Sequence, residues 1–104
     1  MTREDLLKEI SQTLYKARAD KLARLLADQA GIKQLQELTF YAKKEIAFRA
    51  AWILENVYFK NPDHFVPYLE DFIAAYYLQK NLSCQRHFTK IMMDITSPKR
   101  RAHS

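Results

Sequence analysis

Cys84 and His87 stand three residues apart, and His64 lies on the segment before them. Cysteine and histidine at short spacing are zinc ligands, but a structural site needs four ligands and a catalytic site three. Only one local pair exists, and Cys84 falls on an apolar stripe where a buried thiol acts as a small hydrophobe. No metal and no cofactor are therefore expected. General acid and base catalysis asks for a carboxylate pair or a histidine held in a cleft. The adjacent acids are Glu4 with Asp5 and Glu70 with Asp71, and the second pair falls on the outward face of its helix. A single glycine, Gly31, rules out a glycine-rich phosphate loop, and no Gly-x-Ser-x-Gly turn exists. The chain reads as non-catalytic.

What remain are residues that bind. Arg49, Trp52 and Glu55 occupy successive turns of one helical stretch, and an arginine beside an aromatic ring suits a partner peptide or a phosphate. The alternative is that Trp52 fills the core while Arg49 pairs with Glu45 one turn earlier or with an acid on the next helix. Tyr58, Phe59, Tyr68 and Tyr77 form an aromatic group that suits an interface, or equally a core edge with hydroxyls in water. Tyr58 and Tyr77 join the first three as partner-binding candidates. For nucleic acid the useful positives are Lys33, Lys43 and Lys44, with Lys99, Arg100 and Arg101 in the tail. Removing those last three from the formal charge of +5 leaves +2, so the basic signal belongs mainly to residues 98–104. Nucleic acid is the second reading and a protein partner the first.

These residues need helices to carry them. Thr2 and Asp5 resemble a capping box, and Leu6, Leu7, Ile10 and Leu14 recur at helical spacing, which predicts a first helix over 3–16. Leu22, Leu25, Leu26 and Ala30 predict a second over 19–30, stopped by Gly31 as a left-handed cap. Ile32, Leu35 and Leu38 give a short third. From Lys43 to Lys60 apolar residues cover nearly the whole circumference, leaving only Glu45, Arg49, Asn56 and Lys60 as a polar stripe. A helix apolar on most sides needs neighbours on most sides, so this one should be central. Asn61 before Pro62 reads as an N-cap with proline at the first position, followed by a buried face of Phe65, Val66, Leu69, Phe72, Ile73 and Tyr76. Pro67 then implies a kink or a short leading turn. Ser83 is expected to cap a final helix carrying Cys84, Phe88, Ile91 and Ile95 and ending before Pro98.

Glycine and proline are too scarce for a turn-rich β fold, and 48% apolar residues in 104 suffice for one core. The expected organisation is one helical domain over 1–97 and a basic flexible tail over 98–104. No run approaches the roughly 18 uninterrupted apolar residues of a membrane span. A lone cysteine and no cleavable leader point to a reducing, cytoplasmic setting. Ile32, Leu35 and Leu38 lie 37 residues before Leu69, Phe72 and Ala75, and Arg49 lies 37 before Arg86. A period near 40 built from two helices is the mark of an α-solenoid, here antiparallel helix pairs in a short right-handed superhelix of the HEAT or armadillo kind.

The stretch Lys44-Glu-Ile-Ala-Phe-Arg-Ala-Ala-Trp-Ile-Leu-Glu-Asn-Val-Tyr, followed by Asn61-Pro62, resembles short HEAT-like helical proteins of the Bacteroidetes group of bacteria. The likeness runs from Ala19 to Met93, with 44–58 its specific part. Some of those relatives bear the label adenylosuccinate lyase. Lyases of that superfamily carry a Ser-Ser-x-Met-Pro-x-Lys-x-Asn loop, and the nearest string here, Thr96-Ser97-Pro98-Lys99, lacks the serine pair, the methionine and the asparagine. The resemblance therefore implies a fold and not that activity. The relatives also continue past the point where this chain stops, which implies an N-terminal portion. A solenoid stopping after Ile95 would present an apolar end face to more chain, a second copy or another protein.

Overall fold

The computed structural model describes residues 1–98, and every regular element in them is helical. The order is α1 (Arg3–Ser11), α2 (Lys16–Leu25), α3 (Gln29–Leu38), α4 (Lys44–Lys60), a 3-10 helix (Pro62–Tyr68), α5 (Leu69–Leu78) and α6 (Leu82–Ile95). The described chain measures 40 × 26 × 22 Å.

Centrality of the 44–60 helix is borne out. α4 packs against α1, α2, α3, the 3-10 helix and α6, and eight of its residues, from Ile46 to Tyr58, are buried. α2 and α6 both pack on α4, as do α1 and α3.

Element ends differ from expectation where local hydrogen bonds outrank apolar periodicity. The first helix stops at Ser11 rather than 16, because the Ser11 and Thr13 hydroxyls donate to the Lys8 and Glu9 carbonyls, each at 2.7 Å. Such side-chain bonds give the backbone an alternative to another helical turn. Leu14, placed on the buried stripe by spacing, is consequently 69% exposed. The Thr2 cap is present, its hydroxyl accepting from the Asp5 amide at 3.1 Å.

Gly31 is not a left-handed C-cap. It sits inside α3, whose N-cap is Asp28, the Asp28 carboxylate accepting from the Gly31 amide at 2.7 Å. No described residue has positive φ. Ser83 is likewise not the cap of the last helix. Asn81 is, accepting from the Ser83 and Cys84 amides at 2.9 and 3.2 Å. Asn61 does cap as expected, accepting from the His64 amide, and Pro67 falls in a separate 3-10 turn before α5. That turn rotates Val66 off the predicted core face and into solvent.

Two buried polar links join distant segments. The Thr39 carbonyl, at the end of α3, accepts from Gln79 Nε2 at 3.1 Å and faces the Cys84 thiol at 3.7 Å. A terminal carbonyl without a helical partner is thereby satisfied by the segment 40 residues on.

Candidate functional site

Beyond its first residue, the side of α4 that is not fully buried is a stripe of Glu45, Phe48, Arg49, Trp52, Glu55, Asn56, Phe59 and Lys60. Steps of three and four place these residues on one side of the helix. The stripe holds three of the five partner-binding candidates, and the structure fixes two of those three.

Arg49 pairs with neither Glu45 nor an acid on the next helix. Its Nη1 donates to the Ser11 carbonyl at 3.0 Å, closing the C-terminal end of α1. Cationic groups are favoured there, where carbonyls lack helical partners and the helix dipole is negative. Glu55 is held from the other side. Its Oε1 lies 3.1 Å from His87 Nδ1 and 3.4 Å from Lys90 Nζ, both on α6. The Phe48 ring rests against His87, centroids 5.3 Å apart. Trp52 lies between these anchors, half-buried against the core.

Burial would raise the Glu55 carboxyl, but the hydrogen bond and charge of His87, with Lys90 added, outweigh it and leave the group below its ordinary value of 4.5. A carboxyl that is more acidic folded than unfolded adds stability above the unfolded value, and that stability is lost as pH falls through the lowered folded value. Thermal melts should therefore show a fall in Tm below about pH 4.5 that is shallower in Glu55→Gln. Equal acid slopes for the two proteins would count against the ion cluster.

The other two candidates lie elsewhere. Tyr58 is 2% exposed, its hydroxyl bonded to Asp94 and its ring edge-on to Phe59 and Phe65, so the side chain belongs to the core and offers no surface. Burial with a hydrogen-bonded hydroxyl is the usual fate of a core tyrosine. Tyr77 is 78% exposed on α5, which packs on the 3-10 helix and α6 rather than on the α4 stripe.

Cys84 and His87 do not converge. The Cys84 thiol faces the Thr39 carbonyl, the imidazole faces Glu55, and His64 is exposed on the 3-10 helix. Among the described residues no three His, Cys, Asp or Glu side chains assemble as metal ligands would. Burial pushes the Cys84 thiol up to about 11. The thiolate is the reactive form, so folded protein at neutral pH should resist iodoacetamide and label only at the rate at which α6 opens. Fast labelling of the native protein would contradict the burial.

Lys33, Lys43 and Lys44 are exposed. Lys44 and Lys80 line a groove of about 530 Å³ between the α3–α4 and α5–α6 loops, and Lys43 stands at the N-terminal end of α4 without a side-chain cap. Lys99, Arg100 and Arg101 lie outside the described residues. The His87–Glu55–Lys90 cluster and Lys80 were missed from sequence. The one cue to the cluster is that His87 and Lys90 share a helix face.

A family model described as HEAT repeat domain matches residues 4–102. The chain belongs to the HEAT repeat family. The all-helical architecture agrees with that membership. HEAT repeats commonly mediate protein interactions, and the family is typically non-catalytic. No curated protein and no solved structure matches the chain. Among the described residues no helix is long and apolar enough to cross a membrane.

Proposed function

We propose that this protein is a non-catalytic helical-repeat scaffold, cytoplasmic in its setting, that holds a segment of a partner protein along the α4 stripe. In this reading residues 1–97 form a short right-handed solenoid of antiparallel helix pairs, and 98–104 form a basic tail. The observation that carries it is Trp52, half-buried between two immobilised charges. Hot spots are enriched in tryptophan and arginine, and side chains already ordered in the free protein lose little entropy on binding. Arg49 and Glu55 are ordered by α1 and α6 before any partner arrives. Tyr77 and the exposed C-terminal end serve assembly, including self-association. The lyase label of some relatives has no place in this reading, since Thr96 to Lys99 lacks the loop it requires.

The test is photo-crosslinking in cells from Asn56, on the stripe, compared with crosslinking from exposed Lys33 on α3. A discrete protein adduct is expected from position 56 and not from 33, and Trp52→Ala should weaken the purified complex by roughly 30-fold or more, the scale of a hot spot. Adducts equal at both positions, or an affinity indifferent to Trp52→Ala, would sink the proposal.

One observation favours non-specific nucleic-acid binding as a second reading: Lys44 and Lys80 share a groove beside Lys43, with Lys33 and the tail residues Lys99, Arg100 and Arg101 adding charge. Phosphate binding weakens steeply with salt. Fluorescence anisotropy with labelled duplex DNA and RNA across a salt series, on the full chain and on a chain ending at Thr96, separates the readings. Tight, salt-sensitive binding that survives loss of the tail would put nucleic acid first.

A further inference from the structure

The α3–α4 and α5–α6 loops are tied together by the buried side chain of Gln79. Its Nε2 donates to the Thr39 carbonyl at 3.1 Å, its Oε1 accepts from the Asn81 amide at 3.1 Å, and its own carbonyl accepts from Gln85 Nε2 at 2.6 Å. The groove of about 530 Å³ lies between the two tied loops. Bonds within the chain hold both of its walls, so it is formed before a ligand arrives and less ordering is required on binding.

The side chains on the groove are of two kinds. Lys44 and Lys80 bring charge, and among the described residues no acid lines it. Lys43 precedes Lys44, and the Arg3 guanidinium sits over the ring of Tyr41, another lining residue, 5.9 Å from the centroid. All four cations are exposed, and none is in an ion pair among the described residues. A cleft lined by one sign of charge focuses the field and concentrates the opposite charge. Phe40 and Leu82 bring apolar surface, 46% and 79% exposed.

That mixture selects the class of anion. A nucleic-acid strand is charged at every unit and binds through rows of cations. Here exposed Glu37, in the last turn of α3, and exposed Glu45, in the first turn of α4, bracket in sequence the loop that carries Phe40 to Lys43. A backbone charged throughout gains little from a site flanked by acids and half apolar. A short segment with one or two carboxylates beside an apolar side chain uses both halves of the groove.

We propose that this groove takes an acidic segment of a partner protein, its carboxylates on Lys44 and Lys80 and a neighbouring apolar side chain against Phe40 and Leu82. Lys44 stands one turn before Phe48 and eight residues before Trp52, about 12 Å along the helix axis, a span that about four residues of extended peptide cover. One partner segment therefore reaches from the α4 stripe into the groove. The proposal shares the protein partner of the stripe reading and adds a second contact with its own chemistry.

The test is selection from a random peptide library displayed on phage, with the full chain as the target, followed by anisotropy of the selected peptides at several salt concentrations. Enriched peptides are expected to carry aspartate or glutamate beside an apolar residue. Lys44→Glu with Lys80→Glu should weaken their binding by about ten-fold or more, since each reversal replaces an attraction with a repulsion, and Leu82→Ser should weaken it without changing the salt slope. Circular dichroism is the folding control, all three positions being exposed. No enrichment, enrichment without acidic residues, or affinity indifferent to the lysine reversals overturns the groove. Trp52→Ala keeps the two sites apart: peptides that need the lysines and not Trp52 leave the groove standing and count against the stripe, and peptides that need Trp52 and not the lysines do the reverse. A labelled thymidine oligonucleotide is the second probe, and binding that is tighter than that of the peptides and abolished by the same lysine reversals overturns the acidic segment in favour of nucleic acid.

Discussion

Alanine in place of Gly31 is expected to destabilise the protein by at least about 1–3 kcal/mol, the scale at which an inserted methyl group forces a packed structure to move. The ordinary rule has the opposite sign, since alanine is favoured over glycine in a helix by about 1 kcal/mol. What reverses it is contact with backbone. A Cβ on Gly31 would lie 2.3 Å from the Leu26 carbonyl oxygen and 2.7 Å from the Leu26 Cα and carbonyl carbon. No rotamer change relieves an overlap with main chain. Leu26 is itself pinned by its amide bond to the Leu22 carbonyl, and Gly31 by its amide bond to the Asp28 carboxylate. The end of α2 and the start of α3 must separate, and with them the buried Leu26 and Ile32. For a domain of this size a loss of that scale lowers Tm by roughly 4–24 °C. Ala30→Gly, on the exposed side of the same turn, supplies the comparison and should cost about 0.5–1 kcal/mol by the ordinary rule. Thermal and urea unfolding of both variants decide the matter, and a Gly31→Ala protein that melts at or above the parent would refute the close approach.

That same residue shows where sequence reasoning runs out. A lone glycine after an apolar stripe looks like a C-cap, because composition carries the permissiveness of glycine but not which of its two properties is in use. Here the missing Cβ matters and the freedom of φ does not. Longer-range features divide in the same way. The largely apolar circumference of Lys44 to Lys60 was sufficient to place α4 at the centre, since a helix apolar on most sides must have neighbours on most sides. The polar half of the α4 stripe was legible too, because Glu45, Arg49, Asn56 and Lys60 break the apolar pattern and are not fully buried, whereas the partial exposure of Phe48, Trp52 and Phe59 was not. The engagement of Arg49 with Ser11 and of Glu55 with His87 was not, as these bonds join residues 38 and 32 apart and depend on helix packing that no spacing encodes. Tyr58 was read as an edge residue for the same reason: its partner Asp94 lies 36 residues on.

Phe72→Ala should produce the other large effect, and the form of that effect tests how the C-terminal end is held. Phe72 is fully buried, its ring 5.8 Å from Phe65 and 5.0 Å from Phe88, so it joins the 3-10 helix to α6. Phe65 in turn meets Tyr58 of α4 at 5.3 Å. Removing the central ring leaves a cavity and breaks two aromatic contacts, and such truncations cost about 3–5 kcal/mol when the structure stays closed. α5 has only Ala75 as a second buried residue, however, and its main contacts are with the 3-10 helix and α6. A helix anchored so lightly can detach on its own, and its detachment sets a ceiling on the measured global loss. The expectation is therefore two-fold. Global unfolding should shift by up to about 3–5 kcal/mol, and native-state hydrogen exchange should show the amides of α5 losing protection while those of α2 and α4 keep theirs. Cys84, at the start of α6, reports the same event, since its alkylation should accelerate as that end loosens. Uniform loss of protection across all helices would mean that α5 unfolds only with the whole. In that case the ladder from Tyr58 through Phe65 and Phe72 to Phe88 would be the spine of a single cooperative unit rather than the hinge of a separable end.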